Sequence, residues 1–150
     1  MAKKILVVDD STSIVNLITV KLAKEGYEVI QAFNGEEALE KAYEERPDLI
    51  LLDVMMPRLD GKEVCARIKS DPSMAATPIV MLTAVGEFEE QLKGLETGAD
   101  EYMTKPFDPG QLAAVVRYFL EGGERPLALL EKDKKEKKLR TIIGIMHPKE

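Results

Sequence analysis

Five short apolar segments, each followed by a stretch of helical periodicity, organise the chain up to about residue 120. Apolar and β-branched residues fill these segments, which predicts strands that are buried on both faces. Repeated strand and helix units predict one parallel sheet with helices on both of its faces, the doubly wound α/β class. The five segments are Ile5–Val8, Glu28–Ala32, Leu49–Leu52, Ile79–Leu82 and, more weakly, Glu101–Met103.

Residues that favour helix ends mark the boundaries of the predicted helices. A side chain able to accept a hydrogen bond from the first turn stands before each of the first three helices, at Ser11, Asn34 and Asp60. Glycine or proline follows the point where each of these three ends, at Gly26, Pro47 and Pro72. A fourth helix is expected over about Glu87 to Thr97 and a fifth over about Pro109 to Leu120.

Polar side chains directly follow four of the five predicted strands. In open α/β sheets the ligand lies at the carboxyl ends of the strands, so these side chains are expected to gather at one site. The second strand contributes nothing comparable, which suits a position at the edge of the sheet. The side chains are Asp9 and Asp10 after the first strand, Asp53 after the third, Thr83 after the fourth and Lys105 after the fifth.

Three carboxylates at one site repel one another and require a compensating cation. A hard divalent ion with oxygen ligands relieves the repulsion, and Mg²⁺ is the usual ion where phosphate is handled. A carboxylate beside such an ion can attack phosphorus and form an acyl phosphate, which makes Asp53 the candidate nucleophile. The Lys105 ammonium, the Thr83 hydroxyl and backbone N–H groups would then stabilise the phosphoryl oxygens.

Composition indicates an ordinary soluble globular protein, with 45% apolar and 32% charged residues. No apolar stretch approaches the roughly 18 residues that span a bilayer, and the first residues lack a signal-peptide cleavage region. We therefore expect no membrane contact and a cytoplasmic location. The single cysteine, Cys65, excludes an internal disulfide, agrees with a reducing compartment and is expected to be a small core residue on a helix.

Charge and motif absences argue against several function classes. The net charge of −6 divides into +2 for residues 121–150 and −8 for the residues before them. Because an acidic body does not neutralise phosphates, no direct DNA binding is expected. No glycine-rich phosphate loop follows the first strand, which argues against a nucleotide-binding domain. A haloacid dehalogenase type of phosphatase would carry its nucleophile there in a DxD pattern, whereas this chain reads VVDDS.

Four motifs stand in order at the predicted strand ends. They are VVDDS after the first strand, LLDVMMPRLDG after the third, MLTA after the fourth and GADEYMTKPF across the fifth. Together they resemble the receiver domain of bacterial two-component response regulators, with an organisation similar to the single-domain chemotaxis regulator. The resemblance covers about residues 3 to 120. It implies a flavodoxin-like fold with five parallel strands in the order 2-1-3-4-5.

The resemblance also implies roles for the clustered residues. Asp53 would accept a phosphoryl group from a histidine kinase or a small donor such as acetyl phosphate. Mg²⁺, or Mn²⁺, would be held by Asp10, Asp53 and the backbone carbonyl of Met55, with Asp9 assisting through a metal-bound water. Lys105 would contact the phosphoryl group, with the Lys105-Pro106 peptide bond expected to be cis.

The family further implies a switch and its partners. Thr83 would move toward the phosphoryl group and Tyr102 would follow from an outward to an inward rotamer. The partners implied are a sensor histidine kinase and either a downstream protein or a second copy of the chain. The output would bind through the predicted helix over residues 87–97, the fifth strand and the fifth helix. The domain would not be an enzyme, because its chemistry is limited to phosphorylation and dephosphorylation of itself. The alternative function is a phosphorylation-independent interaction module of the same fold.

Two further expectations concern signal lifetime and the end of the chain. Met55 and Val85, two residues after Asp53 and Thr83, offer no acid or amide to orient a hydrolytic water, so self-dephosphorylation should be slow. The receiver domain is predicted over residues 1–121, and residues 122–150 are predicted to be a linker and tail. The tail has helical apolar spacing, although its TIIGIM run could equally form a strand. Its histidine, His147, is expected to be exposed there.

Overall fold

A five-stranded parallel sheet forms the centre of the computed structural model, which describes residues 2–84, 98–126 and 129, with the backbone alone at Ala84 and Tyr102. The strands lie in the order β2-β1-β3-β4-β5. The predicted flavodoxin-like order 2-1-3-4-5 is therefore confirmed, with the second strand at an edge. The strands are β1 (Lys4–Val8), β2 (Glu28–Ala32), β3 (Leu49–Asp53), β4 (Ile79–Ala84) and β5 (Glu101–Lys105).

Four helices are described, and each begins at a side chain that accepts a hydrogen bond from the first turn. Asn34, for example, accepts from the Glu37 N–H at 2.8 Å, and Asp60 accepts from the Glu63 N–H at 3.0 Å. These contacts satisfy backbone donors that have no partner inside the helix. The helices are α1 (Thr12–Lys24), α2 (Gly35–Glu45), α3 (Gly61–Ser70) and α4 (Pro109–Glu121).

Alternate residues of each central strand enter two separate cores. In β1, Ile5 and Val7 pack with α1 and α4, whereas Leu6 and Val8 pack with α2 and α3. All four are fully buried, and each aliphatic side chain of this kind contributes about 1.5–3 kcal/mol when it leaves water. Because helices cover both faces of the sheet, the strands are continuously apolar. Polar side chains therefore follow the strands at their carboxyl ends.

Some of the predicted elements fall outside the described residues. The helix expected over residues 87–97 and nearly all of the tail after residue 126 belong to this group, as do Val85 and His147. Cys65 lies in α3 and is fully buried, as expected. Within the described ranges, no helix is both long and apolar enough to cross a membrane.

Candidate functional site

Three carboxylates meet at the carboxyl edge of the sheet. Asp9 and Asp10 follow β1, and Asp53 is the last residue of β3, which pairs directly with β1. One carboxylate oxygen from each lies within 4.8 Å of the other two. Asp9 and Asp53 are buried, with 1% and 4% of their surface exposed, whereas Asp10 is open to solvent. Three hard oxygen donors, one of them reachable from solvent, could hold a divalent cation.

Lys105 connects two of these acids from the end of β5. Its Nζ lies 2.6 Å from Asp9 Oδ2 and 3.3 Å from Asp53 Oδ1. The peptide bond between Lys105 and Pro106 is cis. An ammonium group between two buried carboxylates compensates part of the cost of removing their charges from water. It also places a cation beside Oδ1 of Asp53.

Backbone N–H groups fix the orientation of the two buried acids. The Met55 N–H donates to Asp53 Oδ1 at 3.3 Å, and the Ser11 N–H donates to Asp9 Oδ1 at 2.9 Å. Both are bonds from a residue two positions further along, typical of Asp in a turn. The loop after β3 thus turns sharply enough to direct its own amide back at the carboxylate.

Gly61, the first residue of α3, lies directly against the Asp53 backbone. A Cβ at this position would overlap the carbonyl oxygen of Asp53. The Gly61 N–H also donates to the Val54 carbonyl at 3.0 Å. From the sequence, the Asp60-Gly61 pair indicates a turn and a helix start only. The closeness of Gly61 to Asp53 adds a second reason for glycine. α3 can approach the end of β3 only if this position has no side chain.

Burial controls the protonation of Asp53. Removal from water raises the pKa of this carboxyl group from 3.8 to about 6, and the neighbouring Asp9 charge adds to the increase. The charge and hydrogen bond of Lys105 and the Met55 N–H oppose the change without cancelling it. For Lys105, burial alone would lower the pKa, but its contacts with Asp9 and Asp53 outweigh burial and raise it. Lys105 therefore stays charged, but its charge does not fully offset the cost of burying an ionised Asp53.

Thr83 lies on β4, one residue after Leu82, which pairs with Asp53 of β3. Its side chain is 1% exposed, and its Oγ1 has no hydrogen-bond partner within the described part of the chain. A buried hydroxyl that makes no hydrogen bond costs about 1–3 kcal/mol, so its presence at this position needs an explanation. A ligand with acceptor oxygens in the acid cluster would provide a partner.

Three other predicted site residues are placed less fully. Met55 follows Asp53 in the loop, and its side chain is 52% exposed. Tyr102 lies in β5, where its backbone pairs with Met81 of β4, so its switch role stays a prediction. Val85 lies outside the described residues, so its expected effect on the lifetime of the phosphorylated state stays a prediction.

The sequence matches the model of a known protein family over most of its length. That model, described as the response regulator receiver domain, matches residues 5–117, about three quarters of the chain. The chain belongs to this family. The receiver domain is the phosphorylation-activated signalling switch of two-component systems, and its family is regulatory rather than catalytic.

Similar proteins agree with this assignment. The alkaline phosphatase synthesis transcriptional regulatory protein PhoP of Bacillus subtilis is 49% identical over 144 residues, which are 96% of this chain and 59% of that protein. The DNA-binding dual master transcriptional regulator RpaA of Synechocystis is 41% identical over 81% of this chain and 51% of its own length. The chemotaxis protein CheY4 of Vibrio cholerae has a solved structure with a TM-score of 0.75 and 38% identity, covering 80% of this chain and all of that one.

The expectation that DNA would not be a partner is wrong. Curated relatives of this receiver are transcriptional regulators, and one is DNA-binding by name. The chain spans 59% of the first and 51% of the second, a little over half of each. The expectation came from the acidic charge of the receiver. That charge carries no information about the parts of these relatives that lie outside the match.

Proposed function

We propose that Asp53 is the residue that accepts the phosphoryl group in this receiver. One observation carries the proposal: Asp53 is a buried carboxylate that shares a lysine with Asp9 and lies within ligand distance of Asp10. Because the surroundings are largely apolar, a negative charge at this site interacts more strongly with the Lys105 ammonium and with a bound cation than it would in water. Asp53 contacts Lys105, and burial nevertheless raises the pKa of its carboxyl group to about 6.

The transfer itself is a substitution at phosphorus. An Oδ atom of Asp53 forms the new O–P bond while the N–P bond of a phosphohistidine donor breaks, and the leaving imidazole nitrogen takes the bonding electron pair. Lys105 is placed to contact the transferred group, because its Nζ is already 3.3 Å from Asp53 Oδ1. The buried Thr83 hydroxyl can donate to a phosphoryl oxygen, which would give its Oγ1 a partner.

We infer that Mg²⁺ is the cation of this site. The donor set supports the ion, since all three side chains present hard carboxylate oxygens and no nitrogen or sulfur ligand lies among them. Asp10 and Asp53 would hold it directly together with the Met55 carbonyl, and Asp9 would act through a water. When bound, the ion would neutralise the carboxylates and the phosphoryl oxygens. Mn²⁺ satisfies the same ligands.

The switch is proposed to start at Thr83. Phosphorylation adds about 1.5–2 negative charges and three acceptor oxygens to the site. A change of this size at one end of the sheet can shift a pre-existing equilibrium when the two states contact the new group differently. Thr83 would provide such a difference, because its hydroxyl has no partner among the described residues and would gain one from a phosphoryl oxygen. Tyr102 on the adjacent strand is proposed to follow it.

We propose that the output of this receiver is the control of a transcriptional regulator that binds DNA. The similarity to PhoP supports this proposal. That match covers 96% of this chain, so it extends well past Glu121, where α4 ends. The receiver would itself change no other molecule, its chemistry being confined to Asp53. A cytoplasmic location, predicted from the sequence, fits a regulator of transcription.

The test is phosphorylation of the full chain by acetyl phosphate in Mg²⁺, followed by intact mass and by borohydride trapping of the acyl phosphate. The wild-type chain should gain one phosphoryl group at residue 53, and Asp53→Asn should gain none. Asp60→Asn is the matched control, because Asp60 lies in the same loop but outside the cluster and should leave labelling intact. A wild-type chain that takes no phosphoryl group would support the phosphorylation-independent interaction module instead. An Asp53→Asn variant that still takes one would show that another residue is the acceptor.

A further inference from the structure

The chain reverses direction after α4 and returns toward the sheet. Gly122 and Gly123 both have positive φ angles, 82° and 104°, which favour glycine strongly. The Gly122 N–H still donates to the Tyr118 carbonyl at 3.1 Å, so the turn begins at the end of the helix. Since α4 runs opposite to the strands, this turn lies at the amino edge of the sheet, away from Asp53.

Arg125 then pairs with a buried acid of the receiver. Its guanidinium forms an ion pair with the carboxylate of Glu101, the first residue of β5. Glu101 is only 7% exposed, and a carboxylate buried to this degree is costly unless it is paired. The same guanidinium lies over the Tyr118 ring, 5.9 Å from its centroid. Arg125 therefore contacts both elements that border this edge, β5 and α4.

Leu129 provides a second, apolar attachment. It is fully buried and belongs to the core that contains Ile5, Val7 and the buried face of α4. Its N–H donates to the Pro126 carbonyl at 3.0 Å. Burial of this side chain removes apolar surface from water, so it stabilises the docked segment in addition to the ion pair.

We propose that residues 122–126 together with Leu129 form a strap docked on the receiver, which fixes the direction in which the chain leaves the domain. The docking surface consists of Glu101 at the start of β5, the Tyr118 ring on α4 and the core pocket that holds Leu129. The composition of this segment, with two glycines and a proline, predicts a linker, and in the structure the segment is held by the contacts of Arg125 and Leu129. The chain therefore leaves the receiver at a set position relative to β5, the strand that ends in Lys105.

The test is amide hydrogen exchange of the full chain, monitored over the peptide that spans residues 122–129. In the wild-type chain these amides should exchange at least about tenfold more slowly than in an unstructured peptide of the same sequence. Arg125→Ala should remove most of this protection, while amides of β1 keep theirs. Arg117→Ala is the matched control. Arg117 is an exposed arginine of α4 whose Nη1 lies 3.2 Å from Glu25 Oε2 at the end of α1, and its loss should leave the strap protected.

Charge reversal separates the ion pair from a general loss of stability. Glu101→Arg alone should release the strap, and combining it with Arg125→Glu should restore the protection. The proposal is overturned if the wild-type peptide exchanges as fast as the unstructured reference. It is equally overturned if Arg117→Ala releases the segment as much as Arg125→Ala, or if the reversed pair restores nothing. Phosphorylation of Asp53 is measured separately, so failure of the strap does not affect the proposed function.

Discussion

Replacing Asp53 with asparagine should stabilise the protein in the absence of divalent ions. Burial holds the pKa of this carboxyl group at about 6 in the folded chain, against 3.8 ordinarily. Each pKa unit corresponds to about 1.36 kcal/mol, so the ionised group costs the folded state about 3 kcal/mol at neutral pH. Asparagine has nearly the same shape and no charge. The Lys105 ammonium keeps its 2.6 Å contact with Asp9, so the variant leaves no unpaired cation.

The gain should depend on pH in a defined direction. Between about pH 4 and pH 6 the folded chain holds a proton on Asp53 that the unfolded chain has released. Raising the pH through this window therefore lowers the free energy of unfolding of the wild-type chain, and the loss is complete above the folded pKa. The Asp53→Asn variant has no such group. Its advantage should be close to zero near pH 4 and should reach about 2–3 kcal/mol near pH 7.5.

Urea unfolding of both chains in EDTA, at several pH values, measures this difference. Asp10→Asn is the control, because Asp10 belongs to the same cluster but is exposed. If burial is the main cause, Asp10→Asn should change the free energy of unfolding by less than about 1 kcal/mol. Equal stabilisation by the two variants would show that charge repulsion dominates. An Asp53→Asn advantage that stays constant from pH 4 to pH 8 would refute the argument altogether.

Three further predictions concern the same site. Mg²⁺ should raise the Tm of the wild-type chain more at about pH 8 than at about pH 5.5, because the ion competes with the proton on Asp53; an equal rise at both values would contradict the coupling. Gly61→Ala should lower the free energy of unfolding by about 2 kcal/mol or more in urea, since the methyl group would overlap the Asp53 carbonyl oxygen. Gly110→Ala, where a Cβ meets only the Asp108 side chain, should change it by less than about 1 kcal/mol. The phosphorylated chain should be long-lived, and polar substitutions at Met55 and Val85 together should shorten its half-life about tenfold or more; a half-life that does not change would argue against this explanation.

Most of the fold could be predicted because local and global signals agree. Apolar runs of the length of a strand, separated by helical stretches, have few solutions other than a doubly wound sheet. Caps such as Asn34 and Asp60 act on their own first turn, so sequence alone locates them. The contacts of the segment after α4 could not be predicted, for the opposite reason. Glycine and proline report local backbone freedom, whereas the ion pair of Arg125 with Glu101 joins residues 24 positions apart.

The membership of the acid cluster was predictable, but its energetics were not. Strand-end positions follow from topology, so Asp9, Asp53 and Lys105 could be grouped before any distance was known. How strongly Asp53 is buried, and how unevenly Lys105 divides its contacts between the two acids, depends on the packing of the loops around them. That the Thr83 hydroxyl has no partner among the described residues likewise becomes visible only in the structure.

The energetic cost of ionised Asp53 limits how far phosphorylation can shift the conformational equilibrium of the receiver. A ligand shifts an equilibrium only by its differential interaction with the two states. The cost of about 3 kcal/mol for ionised Asp53 corresponds to a factor of roughly 100 in an equilibrium constant. A cation that neutralises the carboxylate can gain up to this amount. Cation binding should use much of this energy before a phosphoryl group arrives. The further shift must then come from contacts that only the phosphoryl oxygens can make, and the unsatisfied hydroxyl of Thr83 is the clearest of these in the described part of the site.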